Sequence, residues 1–81
     1  MQVTVKYLGL VSSRIGKRSE VLVLPVGATF ATLMDLLHKK YYFDTSMPVF
    51  YNLNGKGIAE DAACHLADGD LVMIIPHISG G

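Results

Sequence analysis

The sequence predicts an α+β fold in which one main helix crosses one face of a small sheet of four to five strands. Stretches with the patterns of strands flank a single stretch of helical periodicity, in the order strand, strand, helix, strand, short strand, strand. A helix that joins two hairpin-like halves must lie against one face of the sheet they form. The 81 residues are expected to make one domain with one core.

The composition excludes several classes of function. About half of the residues are apolar and 17% are charged, which is typical of a folded globule. The formal net charge is zero, so we expect no general attraction to nucleic acid or to an anionic membrane. We predict no membrane span and no signal peptide. The single cysteine, Cys64, adds to a pattern that favours a reducing, cytoplasmic setting.

Two strands are predicted in the first third of the chain. Residues 2–8 alternate, which places Val3, Val5 and Tyr7 on one face, and we expect the valines to face a core. Residues 19–24 are apolar on both sides, as is typical of a strand with little exposed surface on either side.

The segment between these strands, residues 9–17, contains two glycines and two serines and is predicted to be a hairpin loop. Arg14, Lys17 and Arg18 form a small basic patch at its end. Two interpretations of this patch stay open. It is either a solvated loop or a docking surface for an acidic partner.

A helix is predicted from Thr29 to about Tyr42. The hydroxyl of Thr29 is expected to cap the helix, because it can accept a hydrogen bond from a free N–H of the first turn. His38 is expected to face solvent. Apolar residues recur at helical spacing and predict the side that faces the sheet: Phe30, Leu33, Met34, Leu37 and Tyr41.

A hairpin is predicted after the helix. Residues 49–53 form its first strand, and a short return strand is expected at residues 57–59. Asn54 and Gly55 lie between them, and this pair is typical of a type I′ turn because both residues tolerate positive φ.

The last strand, residues 71–75, is predicted to lie in the middle of the sheet and to end at Pro76. Leu66 is expected to plug the core, and residues 68–70 form the turn into this strand. Since one helix covers only one face, the opposite face is predicted to be apolar and open. It is a candidate partner surface, unless loops or self-association cover it.

No active site is predicted in the chain itself. Cys64 and His65 are neighbours, and neighbouring side chains do not face one another, so a buried structural cysteine is the expectation. The spacing of His38, His65 and His77 matches no metal site, and the Asp-rich turn lacks the alternation of an EF-hand loop. We therefore predict that the chain is not an enzyme.

Residues 77–81 are predicted to form a short flexible tail after a domain of residues 1–76. Five extended residues span about 17 Å, and Gly80 and Gly81 have no side chain to obstruct a narrow channel in a partner. The Gly81 carboxylate is a poor electrophile, so it would need activation, for example as an acyl-adenylate made by a separate ATP-using enzyme. The alternative is an idle, frayed end.

Several motifs stand in a distinctive order: Asn54-Gly55, then LADGD at 66–70, then IIPHISGG at 74–81, preceded by VKYLG and by GKRSEVLVLPVGATFATLMDLL. Over nearly the whole chain they resemble the ThiS/MoaD sulfur-carrier family. The long first connection and Pro76 are most similar to the small subunit of molybdopterin synthase. His77 departs from that type, which often has a second proline there, and the link 43–48 is short for it.

The resemblance implies a β-grasp, ubiquitin-like fold with a mixed sheet whose first and last strands are central and parallel. It implies that a ubiquitin-activating-type enzyme uses ATP to adenylate Gly81, which becomes a thiocarboxylate and donates sulfur to a molybdopterin-type or tungstopterin-type precursor. Gly80 gives access to this acyl site. Tyr7, Ile75 and Ile78 match positions at which the family meets its partners, including a large synthase subunit. In the alternative interpretation, the alternation of side chains along a strand places any of them in the core. No bound cofactor or metal is implied.

Other hypotheses stay open. The chain is a ubiquitin-like modifier if Gly81 is joined to lysines, and a carrier for thiamin or tRNA thiolation if the sulfur acceptor differs. A β-grasp interaction module with an idle tail is a further alternative. An enzyme that uses Cys64 is the last.

Overall fold

The computed structural model describes residues 1–41 and 48–77, which form a five-stranded sheet and two helices. The elements are β1 (Gln2–Tyr7), α1 (Gly9–Ile15), β2 (Ser19–Val23), α2 (Phe30–Lys40), β3 (Val49–Leu53), β4 (Lys56–Ile58) and β5 (Leu71–Pro76). The strand order is β2-β1-β5-β3-β4. The predicted α+β class, with a mixed sheet and one main helix across it, is confirmed. Neither described helix is long and apolar enough to cross a membrane.

The last strand lies at the centre of the sheet, as predicted. β5 runs parallel to β1, with Tyr7 opposite Ile74, and antiparallel to β3, with Val49 opposite Pro76. The remaining neighbours are antiparallel. The carboxyl ends of β1 and β5 therefore lie at the same end of the sheet, next to the start of β3.

α2 covers one face of this sheet. Thr29 caps it as predicted, since its Oγ1 accepts a hydrogen bond from the Thr32 N–H at 3.2 Å. The helix ends at Lys40, two residues before the predicted end. Four of the five predicted stripe residues are buried, namely Phe30, Leu33, Met34 and Leu37, whereas Tyr41 is the C-cap and is partly buried. Burial of each such side chain contributes about 1.5–3 kcal/mol.

The alternate residues of the central strands complete the core beneath α2. Val3, Val5, Val72 and Ile74 have no exposed surface. Leu66 is 6% exposed and plugs the end of the core as predicted, and its N–H donates to the Ala28 carbonyl at 2.9 Å. The core is therefore built from one face of the sheet, one face of α2 and one loop.

The predicted hairpin loop at residues 9–17 is wrong, because α1 occupies most of it. Val11 is buried and anchors the helix to the core. Gly16 ends the helix with φ 88°, and its N–H donates to the Ser12 carbonyl at 2.8 Å. This left-handed glycine cap is a stop signal for a helix. The serines and glycines led to the prediction of a loop, whereas the segment forms a short helix that the buried side chain of Val11 stabilises.

β2 was also misjudged. It is an edge strand, with Val21 58% and Val23 77% exposed, whereas the pattern had predicted little exposed surface on either side. Only Leu22 and the following Leu24 contribute apolar contacts to the core. The physical reason is that α2 covers one face only, so the valines on the other face have no helix above them.

The predicted type I′ hairpin turn is confirmed by φ values of 51° at Asn54 and 89° at Gly55. Asn54 also joins this hairpin to the turn before β5. Its Nδ2 donates to Asp70 Oδ1 at 2.8 Å, and its Oδ1 accepts from the Leu71 N–H at 2.9 Å. The Asp70 carboxylate closes its own turn by accepting from the Ala67 N–H at 2.7 Å. The entry into β5 is therefore fixed by two side chains.

Candidate functional site

The end of β5 is held on the side of β3 by two contacts. The His77 N–H donates to the Pro48 carbonyl at 3.0 Å, which extends the β3–β5 pairing beyond Pro76. The His77 ring packs edge-on against the Phe50 ring, with centroids 4.9 Å apart and planes at 73°. Aromatic pairs of this geometry are favourable. The hydrogen bond and the ring contact of His77 together direct the chain along β3 where it leaves the sheet.

On the other side, α1 abuts the same point. Gly9 begins α1 with φ 53°, and a Cβ added there would lie 3.0 Å from Pro76 Cγ. A side chain would therefore be strained by the backbone conformation and would crowd the proline ring. Pro76 is thus held between the start of α1 and the β3 strand. We call Pro76 and His77 the tail root.

The face of the sheet opposite α2 is open and largely apolar, as the sequence predicts. Its central part is β5, where Leu71, Met73 and Ile75 are half-buried, and Phe50 of β3 lies opposite Ile75 with 56% of its surface exposed. Val21 and Val23 lie on the same face at the β2 edge, with the polar Thr4 and Lys6 of β1 between them and β5. We call the six apolar residues the open-face strip. It ends at the tail root, because Phe50 contacts His77.

The structure separates the predicted partner-binding residues. Tyr7 is 3% exposed and lies in the core, since it follows Val3 and Val5 on the face beneath α2. Its proposed place on a partner surface is therefore corrected. Ile75 is in the open-face strip. Ile78, Gly80 and Gly81 lie outside the described residues.

Tyr7 belongs to a polar cluster around Glu20, at the same end of the molecule as the tail root. The Glu20 carboxylate is 9% exposed and accepts hydrogen bonds from Tyr7 Oη at 3.1 Å, from Lys40 Nζ at 2.8 Å and from the Tyr41 hydroxyl. Lys17 Nζ lies 3.7 Å away. The cluster links β1, β2 and the end of α2.

The protonation states of this cluster follow from its contacts. Burial acts to raise the pKa of Glu20, but the hydrogen bonds from Lys40, Tyr41 and Tyr7 outweigh it and leave the pKa below its usual value. Burial, followed by the charge of Glu20, raises the pKa of Tyr7. The hydrogen bond to Glu20 raises the pKa of Lys40. These pKa shifts keep Glu20 ionised, Tyr7 neutral and Lys40 charged at neutral pH, so the three groups are suited to structural support rather than to proton transfer.

Cys64 is exposed, so the predicted buried cysteine is wrong. Its loop crosses the start of α2, where the Cys64 carbonyl accepts from the Phe30 N–H at 2.9 Å, and this backbone contact leaves the side chain outside. His65 Nδ1 lies 3.1 Å from the Gly27 carbonyl, in a bond to the backbone. Within residues 1–41 and 48–77 no three His, Cys, Asp or Glu side chains are grouped to hold a metal.

Phe50 and Glu20 were not singled out by the sequence analysis, which considered His77 only as a metal ligand and as a departure from the family pattern. Alternation within residues 49–53 places Phe50 and Tyr51 on opposite faces of the sheet, so the sequence pattern could have indicated that Phe50 lies on the open face. The contact between Phe50 and His77 depends on the β3–β5 register, which no local pattern reveals. The Glu20 cluster joins residues far apart in the chain, so no spacing rule indicates it.

No protein-family model and no curated protein sequence matches this chain. Solved structures do match it. A putative molybdopterin converting factor, subunit 1, from Pyrococcus furiosus is 26% identical with a TM-score of 0.80, over 96% of this chain and 99% of that one. SAMP1 from Haloferax volcanii, a small archaeal modifier protein, is 20% identical with a TM-score of 0.81 over the whole of both chains.

A third match is to one chain of the complex of subunits 1 and 2 of molybdopterin-converting factor from Helicobacter pylori. It is 21% identical with a TM-score of 0.71, over the whole of this chain and the whole of that one. These matches confirm the ubiquitin-like β-grasp fold. They also confirm the resemblance to ThiS/MoaD-type proteins that the motifs predict.

Proposed function

We propose that this chain is a sulfur carrier protein, a substrate of other enzymes rather than an enzyme itself. The observation that carries the proposal is the position of the Gly80-Gly81 sequence, separated by three residues from the end of the central strand of a β-grasp sheet. The match to the Pyrococcus furiosus protein over nearly the whole of both chains supports it. In this proposal the domain presents the Gly81 carboxylate, and Gly80 lets a partner approach it closely.

The proposed chemistry has two steps, both catalysed by a separate adenylating enzyme. A Gly81 carboxylate oxygen attacks the α-phosphorus of ATP, pyrophosphate leaves, and a mixed anhydride with AMP forms. Sulfide (HS⁻) then attacks the acyl carbon, AMP leaves and a proton is released, which yields a thiocarboxylate. The chain binds no cofactor in this scheme, and the sulfur is passed to a precursor of a molybdopterin-type or tungstopterin-type cofactor.

The partners in this proposal are proteins. The match to the two-subunit complex from Helicobacter pylori supports a large synthase subunit as one of them. The open-face strip and the tail root form one continuous surface through the contact between Phe50 and His77. A partner that holds the tail is therefore expected to cover Ile75 and Phe50 as well.

The test is the intact mass of the chain after incubation with ATP, sulfide and a candidate adenylating enzyme from the same source. The expected result is a gain equal to the exchange of one oxygen for one sulfur, located at Gly81 by fragmentation. The chain without Gly80 and Gly81 is expected to stay unmodified, and a Ser79→Ala variant, which keeps the glycines, is the control. No mass change in any such mixture, while a known carrier reacts, would contradict the proposal.

A ubiquitin-like modifier is the second candidate, favoured by the full-length match to SAMP1. Both functions begin with the same adenylate and differ in the nucleophile. Incubation of the adenylated chain with cell extract separates them. Isopeptide bonds from Gly81 to lysines of other proteins would favour the modifier, and a thiocarboxylate without such bonds would favour the carrier.

A further inference from the structure

A second feature of the open face lies beside the strip, between α1 and the first residues of β2. It is an open groove of about 660 Å³ that borders the tail root, because Gly9 both lines it and lies against Pro76. Its polar lining comes from the hydroxyl-bearing Ser12, Ser13 and Ser19 and from the basic residues Lys6 and Arg18.

The groove contains cations and hydrogen-bond donors but no carboxylate. Lys6 lies directly opposite Ser19 across the β1–β2 pair, and Arg18 precedes Ser19. Both basic residues are exposed. In the described part of the chain neither is within ion-pair distance of a carboxylate, whereas Lys17 and Lys40 are both paired with Glu20. The basic patch of the sequence analysis is therefore divided: Lys17 supports the Glu20 cluster, and Arg18 faces the groove region with Lys6.

The other flank of the open face has a different character. A groove of about 480 Å³ beside β3 and β4 is lined by Phe50 and Ile75 and by no lysine or arginine, and its one carboxylate, Glu60, is paired with His38 of α2 at 2.8 Å. Within the described residues, the unpaired basic side chains Lys6 and Arg18 thus lie on one flank of the apolar strip and not on the other. A surface of this kind favours one orientation of a partner, since complementary charges set register and like charges exclude the reverse.

We propose that the Lys6–Arg18 groove is the docking site for an acidic segment, rich in Asp or Glu, of the protein that takes the tail. Charge complementarity and contact with the tail root carry this inference. A carboxylate there would receive hydrogen bonds from the two cations and from serine hydroxyls, which are stronger than neutral hydrogen bonds. The identity of the partner rests on the proposed function. The preference of the groove for an acidic peptide does not.

The first test is a titration of the isotope-labelled full chain with an acetylated hexapeptide of alternating Glu and Ala at low ionic strength. Backbone amide shifts are expected at Ser12, Ser13 and Ser19. The double variant Lys6→Gln/Arg18→Gln is expected to bind at least about tenfold more weakly. A matched double variant, Lys39→Gln/Lys56→Gln, loses the same charge away from the groove and is expected to bind like the wild type.

Three results would overturn the groove proposal. Shifts spread evenly over the surface would indicate general charge attraction. Equally weaker binding of the peptide to the two double variants would also indicate general charge attraction. Saturable binding of inorganic phosphate at the same amides, tighter than that of the peptide, would assign the groove to a small anion instead. If the glutamine variant fails to fold, Lys6→Met and Arg18→Met tested singly replace it, because Met keeps the apolar stem of each side chain.

The second test uses the adenylation reaction and separates the two proposals. With wild-type chain active, the Lys6→Gln/Arg18→Gln variant is expected to raise the KM for the chain about tenfold with unchanged kcat, and the Lys39→Gln/Lys56→Gln control to leave both within about twofold. An unchanged KM would overturn docking to the tail-taking enzyme. Absence of adenylation of the wild type would count against the carrier function. The peptide titration would still show whether the groove binds an acidic peptide.

Discussion

The two faces of the sheet are built from the same strands but have opposite environments. Within β5, Val72 and Ile74 are completely buried beneath α2, whereas Leu71, Met73 and Ile75 on the other face are half-buried with nothing described above them. The apolar character is similar on both faces. The difference lies in what covers them.

This comparison separates stability from recognition. The covered face contributes most of the hydrophobic burial, and its residues fill the core that holds the fold together. The open face contributes less to folding, yet it retains large apolar side chains and two flanking grooves, of which one is basic. A surface that keeps large apolar side chains in partial contact with solvent is suited to contact with a partner.

The largest expected difference between the faces is at two adjacent residues. Ile74→Ala is expected to lower the free energy of unfolding by about 3–4 kcal/mol, since it leaves a cavity beneath α2. Ile75→Ala is expected to cost less, about 1–2 kcal/mol, because Ile75 is only partly buried and its loss leaves no closed cavity. Denaturant unfolding measures both. Equal losses would show that the open face is covered in solution, for example by self-association.

A smaller effect is expected at the edge of the covered face, where Glu20 accepts hydrogen bonds from two tyrosines and Lys40. Glu20→Gln is expected to cost about 1.5 kcal/mol at pH 7. Since folding lowers the pKa of Glu20, its contribution is present above its unfolded pKa of 4.5 and is lost as pH falls through the lower folded value.

Denaturant unfolding at pH 7 and again in acid checks this sign. The gap between wild type and Glu20→Gln is expected to narrow as the pH falls. A gap that persists in acid would mean that the shape of the side chain, rather than its charge, supports the cluster.

The helix that distinguishes the two faces depends on its cap. Thr29→Ala removes the acceptor of the Thr32 N–H and is expected to cost about 1 kcal/mol, measured as a lower midpoint of thermal unfolding. Thr29→Ser keeps an acceptor hydroxyl and is expected to retain most of the stability. If the serine variant were as unstable as the alanine variant, the hydrogen bond would not be the cause.

The smallest effect is expected at Val23, which is 77% exposed on the edge of the open face. Val23→Thr is expected to change the free energy of unfolding by less than about 0.5 kcal/mol. Val3→Thr makes the same change at a fully buried position beneath α2 and is expected to cost about 1–3 kcal/mol, because it buries a hydroxyl. Similar costs at the two positions would remove the distinction between the faces.

Local patterns were sufficient for much of the fold. Three features follow from interactions between residues close in sequence, and each is confirmed: the apolar stripe from Phe30 to Leu37, the helix cap at Thr29 and the Asn54-Gly55 turn. α1 was missed because a single buried residue, Val11, stabilises it through tertiary contact. The exposure of β2 was missed because apolar valines at an open edge have the same pattern as buried ones.

The candidate site depended more on long-range geometry. Alternation in the first strand already placed Tyr7 with the core valines, and the resemblance suggested a partner role that its burial contradicts. The contact between His77 and Phe50 follows from strand register, and the groove between Lys6 and Arg18 follows from the packing of α1. Neither arises from residues close in sequence.

The central position of β5 has a consequence for how the molecule is made. β1–β2 and β3–β4 are joined in the sheet only through residues 71–76, the last strand described. Until the ribosome has released this segment, the two halves have no common backbone partner, and closing the long loop between β1 and β5 slows folding. A chain in which β5 is not yet paired therefore has no tail root, because Pro76 and His77 are positioned by β3 and α1.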